Sequence, residues 1–289
     1  MKVYILDIGE QAKPRINPFM PHSRGFNIEV GFLDYLKKNP DLLTSNPKLA
    51  NYHYLPIYWS HWQLANSYGR DNREEMQKKL SGVIIDDTKT FTVSEADNEP
   101  GFEIGNTVVF SGNNILGFQG HKWIAAPIIT LPHRMPTVLP DKIYKSNFVG
   151  SSNTHPIRKE IFNKFILDKA VKLIENSKGE DIFIDTILQS YSTLCPRGSA
   201  MGSYRFYESM QLGVAPIMIA EIDFRPFKKF FRWDDFSYYV SNVTAAQELI
   251  MSTSEYELST KGKLAAEEWK RLFEKWPVYI LDLLKYEIN

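Results

Sequence analysis

Short apolar runs alternate with amphipathic stretches along most of this chain. KVYILDI, residues 2–8, is dense enough in apolar side chains for an opening buried strand. Val30, Phe32, Leu33 and Leu36 then fall on one side of a helix expected over Ile28–Lys38. YHYLPIYW, residues 52–59, is β-prone, and Pro56 marks a strand end or an edge. Residues 71–80 read as a charged helix ending near Gly82, followed by β-type runs at 83–85, 90–93, 107–110 and 123–129. LPHRMPTVLP, residues 131–140, carries three prolines, which excludes regular structure and marks an interdomain linker.

Beyond the linker the periodicity is cleaner. Strands are expected at 145–149, 182–184, 192–195, 214–220 and 236–240. A helix over 156–176 opens with Pro156 in its first turn, and a second over 204–212 closes at Gly213. Short strands alternating with helices imply βαβ units and parallel sheets. The tail, 263–286, is helical in pattern with one break at Pro277. The organisation expected is two α/β domains, 1–138 and 142–262, and a C-terminal helical segment, 263–289, that crosses back to the first.

Composition narrows the function classes. Lys+Arg and Asp+Glu each number 34, so the basic excess of a general nucleic-acid binder is missing and no nucleic-acid partner is expected. Aromatic residues make up 13%, which suits packing against the flat C–H faces of sugars as well as ordinary core filling. The single cysteine, Cys195, excludes an intrachain disulfide framework and fits a reducing compartment. In TLCP it reads as a small apolar core residue, not a nucleophile. The start, MKVYILDIGEQ, is too short an apolar run for a signal peptide or anchor, and no apolar run reaches about eighteen residues. A soluble, cytoplasmic protein is expected.

The stretch from Tyr191 to Phe227 carries the chemistry. A strand ends at Cys195-Pro196, Arg197 follows at once, and Gly198, Ser199, Ala200, Gly202 and Ser203 are small enough for backbone N–H groups to approach an oxyanion. The helix after them adds unpaired N–H donors and a positive dipole end. Arg197 would bind a diphosphate, and Glu208, in the second turn, would accept from ribose hydroxyls. A plain N-cap by Ser203, a surface Arg197 and a Glu208 paired with Arg205 account for the same residues without a ligand.

The spacing S-x-L-C-P-R-G-x(4)-S-Y-R-x-x-E-x-x-x-x-G-x-x-P-I-x-I, then R-P-F and W-D-D-F, resembles the C-terminal half of the exostosin family, glycosyltransferase family 47. Cys195, Pro196, Arg197, Gly198, Ser203, Arg205, Glu208, Gly213 and Pro216 stand at its hallmark positions, and FVGSSNTHPIRKEIF, 148–162, resembles the family segment that ends in arginine, here Arg158. Echoes before residue 140 are NPKLANYHYLPIYWS and FTVSEADNEPG. In size the chain is similar to the chlorella-virus xylosyltransferases of that family, which points to xylose and, for a viral enzyme, to the host cytoplasm. Ser199 stands where the family usually has an acidic residue, so donor preference departs from the pattern.

The resemblance implies a GT-B-type fold, two Rossmann-like domains facing a cleft. It implies an inverting transfer from a UDP-sugar donor to a glycan acceptor without a metal or other cofactor. The donor would be held by Arg158, Arg197, Gly198, Ser203, Tyr204, Arg205 and Glu208, with the arginines stabilising the leaving group in place of a metal. Inversion needs a carboxylate base from the N-terminal half. Asp97 matches the family loop, Glu95 and Glu99 flank it, and Asp71 in YGRDN is the alternative. A non-catalytic nucleotide- or glycan-binding protein on the same fold is the second hypothesis. A metal-dependent enzyme built on Asp86-Asp87 is the third, although Asp-Asp-Thr-Lys is also an ordinary turn sequence.

Overall fold

The computed structural model describes residues 1–16, 27–96, 101–112, 118–119, 122–176 and 179–288. The chain divides into two compact units, Met1–Ile129 with Trp276–Asn289, and Thr130–Lys275. Residues 131–140 thus belong to the second unit, and the last helix contributes to both.

In the first unit the elements are β1 (Val3–Ile5), α1 (Ile28–Lys38), β2 (Tyr52–Tyr54), α2 (Trp59–Ala65), α3 (Arg73–Val83) and β3 (Thr90–Ser94). β4 (Phe102–Glu103), β5 (Val108–Ser111), β6 (Phe118–Gln119) and β7 (Lys122–Ala125) follow. The main sheet is parallel in the order β1-β2-β3-β5-β7, and β4 pairs separately with β6. β2 stops before Pro56 because proline lacks the N–H a sheet interior needs. Trp59, Trp62, Met76, Leu80, Phe102 and Val109 form one buried cluster of this unit.

The second unit contains β8 (Tyr144–Gly150), α4 (Pro156–Phe165), β9 (Val171–Glu175), α5 (Glu180–Leu188) and β10 (Ser190–Pro196). α6 (Tyr204–Gln211), β11 (Ala215–Ile219), β12 (Tyr238–Val240) and α7 (Val243–Ser252) complete it, and α8 (Glu255–Glu287) begins within it. Its sheet is also parallel, in the order β12-β11-β10-β8-β9. After β9 the chain crosses to the other side of β8, so the strand order reverses between β8 and β10. Open parallel sheets bind ligands at the carboxyl ends of strands flanking such a reversal. The first unit's main sheet, read from β1 to β7, advances in one direction only.

Several expectations are corrected. The 83–85 run is not a strand: α3 continues through Val83, whose side chain and that of Ile84 pack on the first unit's core. The helix expected over 156–176 stops at Phe165, because the Asp168 carboxylate accepts the Ala170 N–H at 2.9 Å, a side-chain turn that competes with the helix. The chain then turns into β9, whose Val171 is buried. Residues 182–184 lie inside α5, where Glu180 and Asp181 favour the helix start and Ile184, Ile187 and Leu188 are buried at helical spacing. α8 runs unbroken past Pro277, since Trp269, Leu272, Trp276, Ile280 and Leu284 bury one long face. That burial outweighs the ~3 kcal/mol that proline costs in a helix interior.

Candidate functional site

The carboxyl ends of β8 and β10 are held together by an arginine. From α4, Arg158 donates through Nε to the Arg197 carbonyl at 2.8 Å, and through Nη1 and Nη2 to the Ser151 and Pro196 carbonyls at 3.4 Å. Burial and the neighbouring Arg205 push its pKa down to about 10. Arg205 projects from α6 towards the same place. Its guanidinium lies 4.9 Å from the centre of the Phe148 ring, and that of Arg158 lies 5.9 Å from it. Glycines make room for both: a Cβ on Gly150 would stand 2.5 Å from Arg205 Nη2, and one on Gly198 3.0 Å from Arg158 Nη2.

Arg205 is electrostatically unusual. Its Nε is buried with no hydrogen-bond partner, and among the described residues neither Arg205 nor Arg158 forms an ion pair with a carboxylate. Burial holds its guanidinium below the ordinary arginine value. Two buried like charges around one ring, neither in an ion pair, are costly unless an anion joins them, and for Arg205 the Glu208 carboxylate offsets only part of that cost. Ser203, the N-cap residue of α6, has a buried Oγ without a partner and does not cap the first turn. Tyr204 opens that helix, whose N-terminus follows the loop after β10, with the Phe206 N–H donated to the Ser203 carbonyl at 3.0 Å.

Glu208 does not pair with Arg205. It is 7% exposed, and its Oε1 lies 3.1 Å from His133 Nε2, while His133 Nδ1 lies 2.6 Å from Glu180 Oε1 on α5. His133 also donates its backbone N–H to Gln211 Oε1 at 2.9 Å. Arg197 is engaged differently: its Nη1 pairs with Glu221 at 2.9 Å, and its N–H is donated to the Ile219 carbonyl. Cys195 is fully buried and burial pushes its thiol up to about 12, which leaves no thiolate at neutral pH. The W-D-D-F segment is tied down by Arg225, which binds Asp223 bidentately at 2.9 Å and Asp234 at 2.7 Å.

In the first unit the described base candidates are engaged. Asp71 is exposed and accepts from Ser67 Oγ at 2.5 Å, in a turn where Ser67, Tyr68 and Asn72 adopt positive φ of 52°, 59° and 55°. Glu95 is buried beyond β3, and its Oε2 accepts the first N–H of α1, at Ile28, at 3.0 Å. Asp97 and Glu99 lie outside the described residues. Asp86 and Asp87 form a turn: Asp86 accepts the Thr88 N–H and hydroxyl, and Asp87 accepts the Asn106 N–H at 2.8 Å. Among the described residues no group of three or more His, Cys, Asp and Glu is placed to hold a metal ion. None of their helices is long and apolar enough to cross a membrane.

A glutamate that the sequence did not single out organises this region. Glu29 is fully buried and accepts the Ser60 N–H, the Ser60 hydroxyl at 2.8 Å and the Glu95 N–H at 2.6 Å. Burial raises its pKa from 4.5 to about 7, against the lowering effect of these donors. Since the folded value is the higher, burial of Glu29 costs nothing below the unfolded pKa; the cost grows as pH rises and levels off above the folded pKa. Relative to wild type, Glu29→Gln is therefore expected to gain about 3 kcal/mol of stability between about pH 4.5 and about pH 8. Denaturant melts across that range check it; a constant difference contradicts it.

The chain matches no protein-family model. The Exostosin-1 homolog of Caenorhabditis elegans is 37% identical over 71 residues, which cover 23% of this chain and 19% of that protein. The crystal structure of TarM aligns with 74% of this chain and 58% of its own, at a TM-score of 0.38 and 12% identity. A mutant of S. aureus TarM in complex with fondaparinux, alpha-GlcNAc-glycerol and UDP aligns with 74% of this chain and 59% of its own, at 0.37 and 10%. The chain thus spans under a fifth of the curated relative and about three-fifths of these structures.

The structure brings Arg158, Gly198, Ser203, Tyr204 and Arg205 to the reversal between β8 and β10. Arg197 is turned to Glu221, and Glu208 to His133. His133 and Glu180 escaped the sequence reading because their bonds to each other and to Glu208 span 47 and 75 residues. The one local hint was a histidine inside a proline-rich segment, LPHRMP.

Proposed function

We propose that this chain is a glycosyltransferase of the exostosin type, with a GT-B arrangement in which the Thr130–Lys275 unit holds a UDP-sugar. The observation that carries the reading is the pair Arg158 and Arg205, neither of them ion-paired to a described carboxylate, at the strand-order reversal, with the unpartnered Ser203 Oγ two residues before Arg205. A diphosphate is the anion that suits two guanidinia and a helix N-terminus together. The 71-residue match to the Exostosin-1 homolog supports sugar transfer as the chemistry.

The reaction proposed is an inverting displacement. An acceptor hydroxyl oxygen attacks the anomeric carbon, and the bond from that carbon to the diphosphate oxygen breaks. UDP leaves with the bonding electrons, and the hydroxyl proton passes to a carboxylate of the first unit. Arg158 and Arg205 neutralise charge on the departing diphosphate, so transfer in excess EDTA is part of the proposal. Xylose is the sugar tried first.

A non-catalytic nucleotide-binding protein is the second reading, favoured by the local hydrogen bonds that engage both Asp71 and Glu95. Release of UDP from UDP-sugars in the presence of glycan acceptors separates the two. Turnover by wild type is expected, with a fall of about a hundredfold or more in Asp71→Asn if Asp71 is the base. Undiminished turnover in that variant removes Asp71 and leaves the loop at 95–99. No turnover with any donor, alongside tight UDP binding, supports the binding protein.

A further inference from the structure

The carboxylate of Glu208 is held in place from outside its own helix. It sits in the second turn of α6, 7% exposed, where a carboxylate needs donors, and His133 Nε2 lies 3.1 Å away, placed to donate whenever the ring carries a proton there. His133 is itself fixed at two further points, by Glu180 Oε1 at 2.6 Å from Nδ1 and by Gln211 Oε1 at 2.9 Å from its backbone N–H. Its ring packs 5.5 Å from that of Phe183 on α5, and its side chain is 2% exposed. One residue of the irregular 130–143 stretch therefore ties α5 to α6 through a carboxylate–imidazole–carboxylate chain. A carboxylate accepts up to about four hydrogen bonds, so the imidazole orients Glu208 without exhausting it.

We infer that His133 is a positioning residue: through Glu208 it sets the geometry with which the site grips the ribose hydroxyls of the nucleotide. This rests on the donor-site reading proposed above. A hydroxyl-to-carboxylate bond is strong only when the acceptor is already aimed, because a buried side chain that must reorient loses the advantage of its charge. His133 acts on the ribose contact and not on the diphosphate, which lies with Arg158 and Arg205.

The test is calorimetric titration of wild type, His133→Ala and His133→Gln with UDP and with 2′-deoxy-UDP. Wild type is expected to bind UDP about tenfold more tightly than the deoxy form. In His133→Ala that ratio falls to about one, with the loss confined to UDP; in His133→Gln, whose amide can still donate to Glu208, most of the ratio returns. Equal loss for both nucleotides in His133→Ala, or a ratio unchanged from wild type, overturns the inference while leaving the donor site standing. Failure of wild type to bind either nucleotide overturns the donor site and the inference together. If His133→Ala does not fold, the His133→Gln ratio decides: a value near wild type supports the inference, a value near one overturns it.

Discussion

Arg205→Met is expected to stabilise the unliganded protein by about 1–3 kcal/mol and to weaken UDP binding by about a hundredfold. The first half follows from the cost of a buried, unpaired guanidinium. Arg205 has a buried Nε without an acceptor, a second guanidinium nearby and no ion pair with a carboxylate among the described residues; Glu208, bonded to His133, acts on its charge only from beyond ion-pair range. Replacing a whole buried ion pair by apolar side chains of similar volume is often neutral or stabilising by about 1–4 kcal/mol, and Arg205, which has no ion-pair partner to strand, is expected to follow the same direction. The methionine would keep the contact with Phe148, whose ring the guanidinium now covers at 4.9 Å. The second half follows from charge-assisted bonds to a diphosphate, each worth about 1.5–3 kcal/mol, so that losing one costs about ten- to a hundredfold or somewhat more. Chemical denaturation and nucleotide titration of the same preparation check both halves. A destabilised variant with unaltered UDP affinity would show Arg205 to be a structural arginine.

Gly262→Ala is expected to destabilise the protein by about 3 kcal/mol without touching any candidate ligand contact. Gly262 lies on α8 where that helix crosses the turn between α6 and β11. A Cβ there would press into the Gly213 carbonyl oxygen and stand 3.1 Å from its carbon and 3.2 Å from the Ala215 nitrogen. All three are backbone atoms, and Gly213 is itself fixed at φ +70° by the N–H it donates to the Met210 carbonyl. Relief by side-chain rotation is closed, so α8 must lift off. The ~1 kcal/mol that alanine gains over glycine in a helix is outweighed by overpacking of up to about 3 kcal/mol or more and by the lost packing of the displaced helix. The turn leads directly out of α6, so the candidate donor helix is expected to loosen with it. A thermal or urea midpoint equal to or above wild type would contradict the close approach.

Much of the second unit was legible in the sequence. β8 ends on Phe148-Val149-Gly150 and β10 on Leu194-Cys195-Pro196, β11 is an apolar run that follows Gly213, and that glycine closes α6, so their positions followed from local chemistry. β9 was hidden because an Asp168 side-chain turn, not a glycine or proline, separates it from α4. Spacing and a family resemblance proposed the residues of the candidate donor site, but not their partnerships. Glu208 stands three residues from Arg205, the spacing of a helical ion pair, yet it pairs with His133 across 75 residues. Glu29 reads as an ordinary first-turn glutamate, and only the fold brings Ser60 and Glu95 onto it from 31 and 66 residues away. Partnerships set by chain crossing leave no local trace, and they decide which charges remain for a ligand.

A nucleoside diphosphate site at the reversal between β8 and β10, as proposed, binds UDP through its phosphates. Calorimetric titration of wild type and Arg205→Met with UDP tests it most directly, with uridine as the control that lacks the diphosphate. Saturable binding of UDP by wild type is expected, with much weaker binding of uridine and an affinity for UDP about a hundredfold lower in Arg205→Met. Equal affinity of the two proteins for UDP, or no binding of UDP by wild type at millimolar concentration, would contradict it.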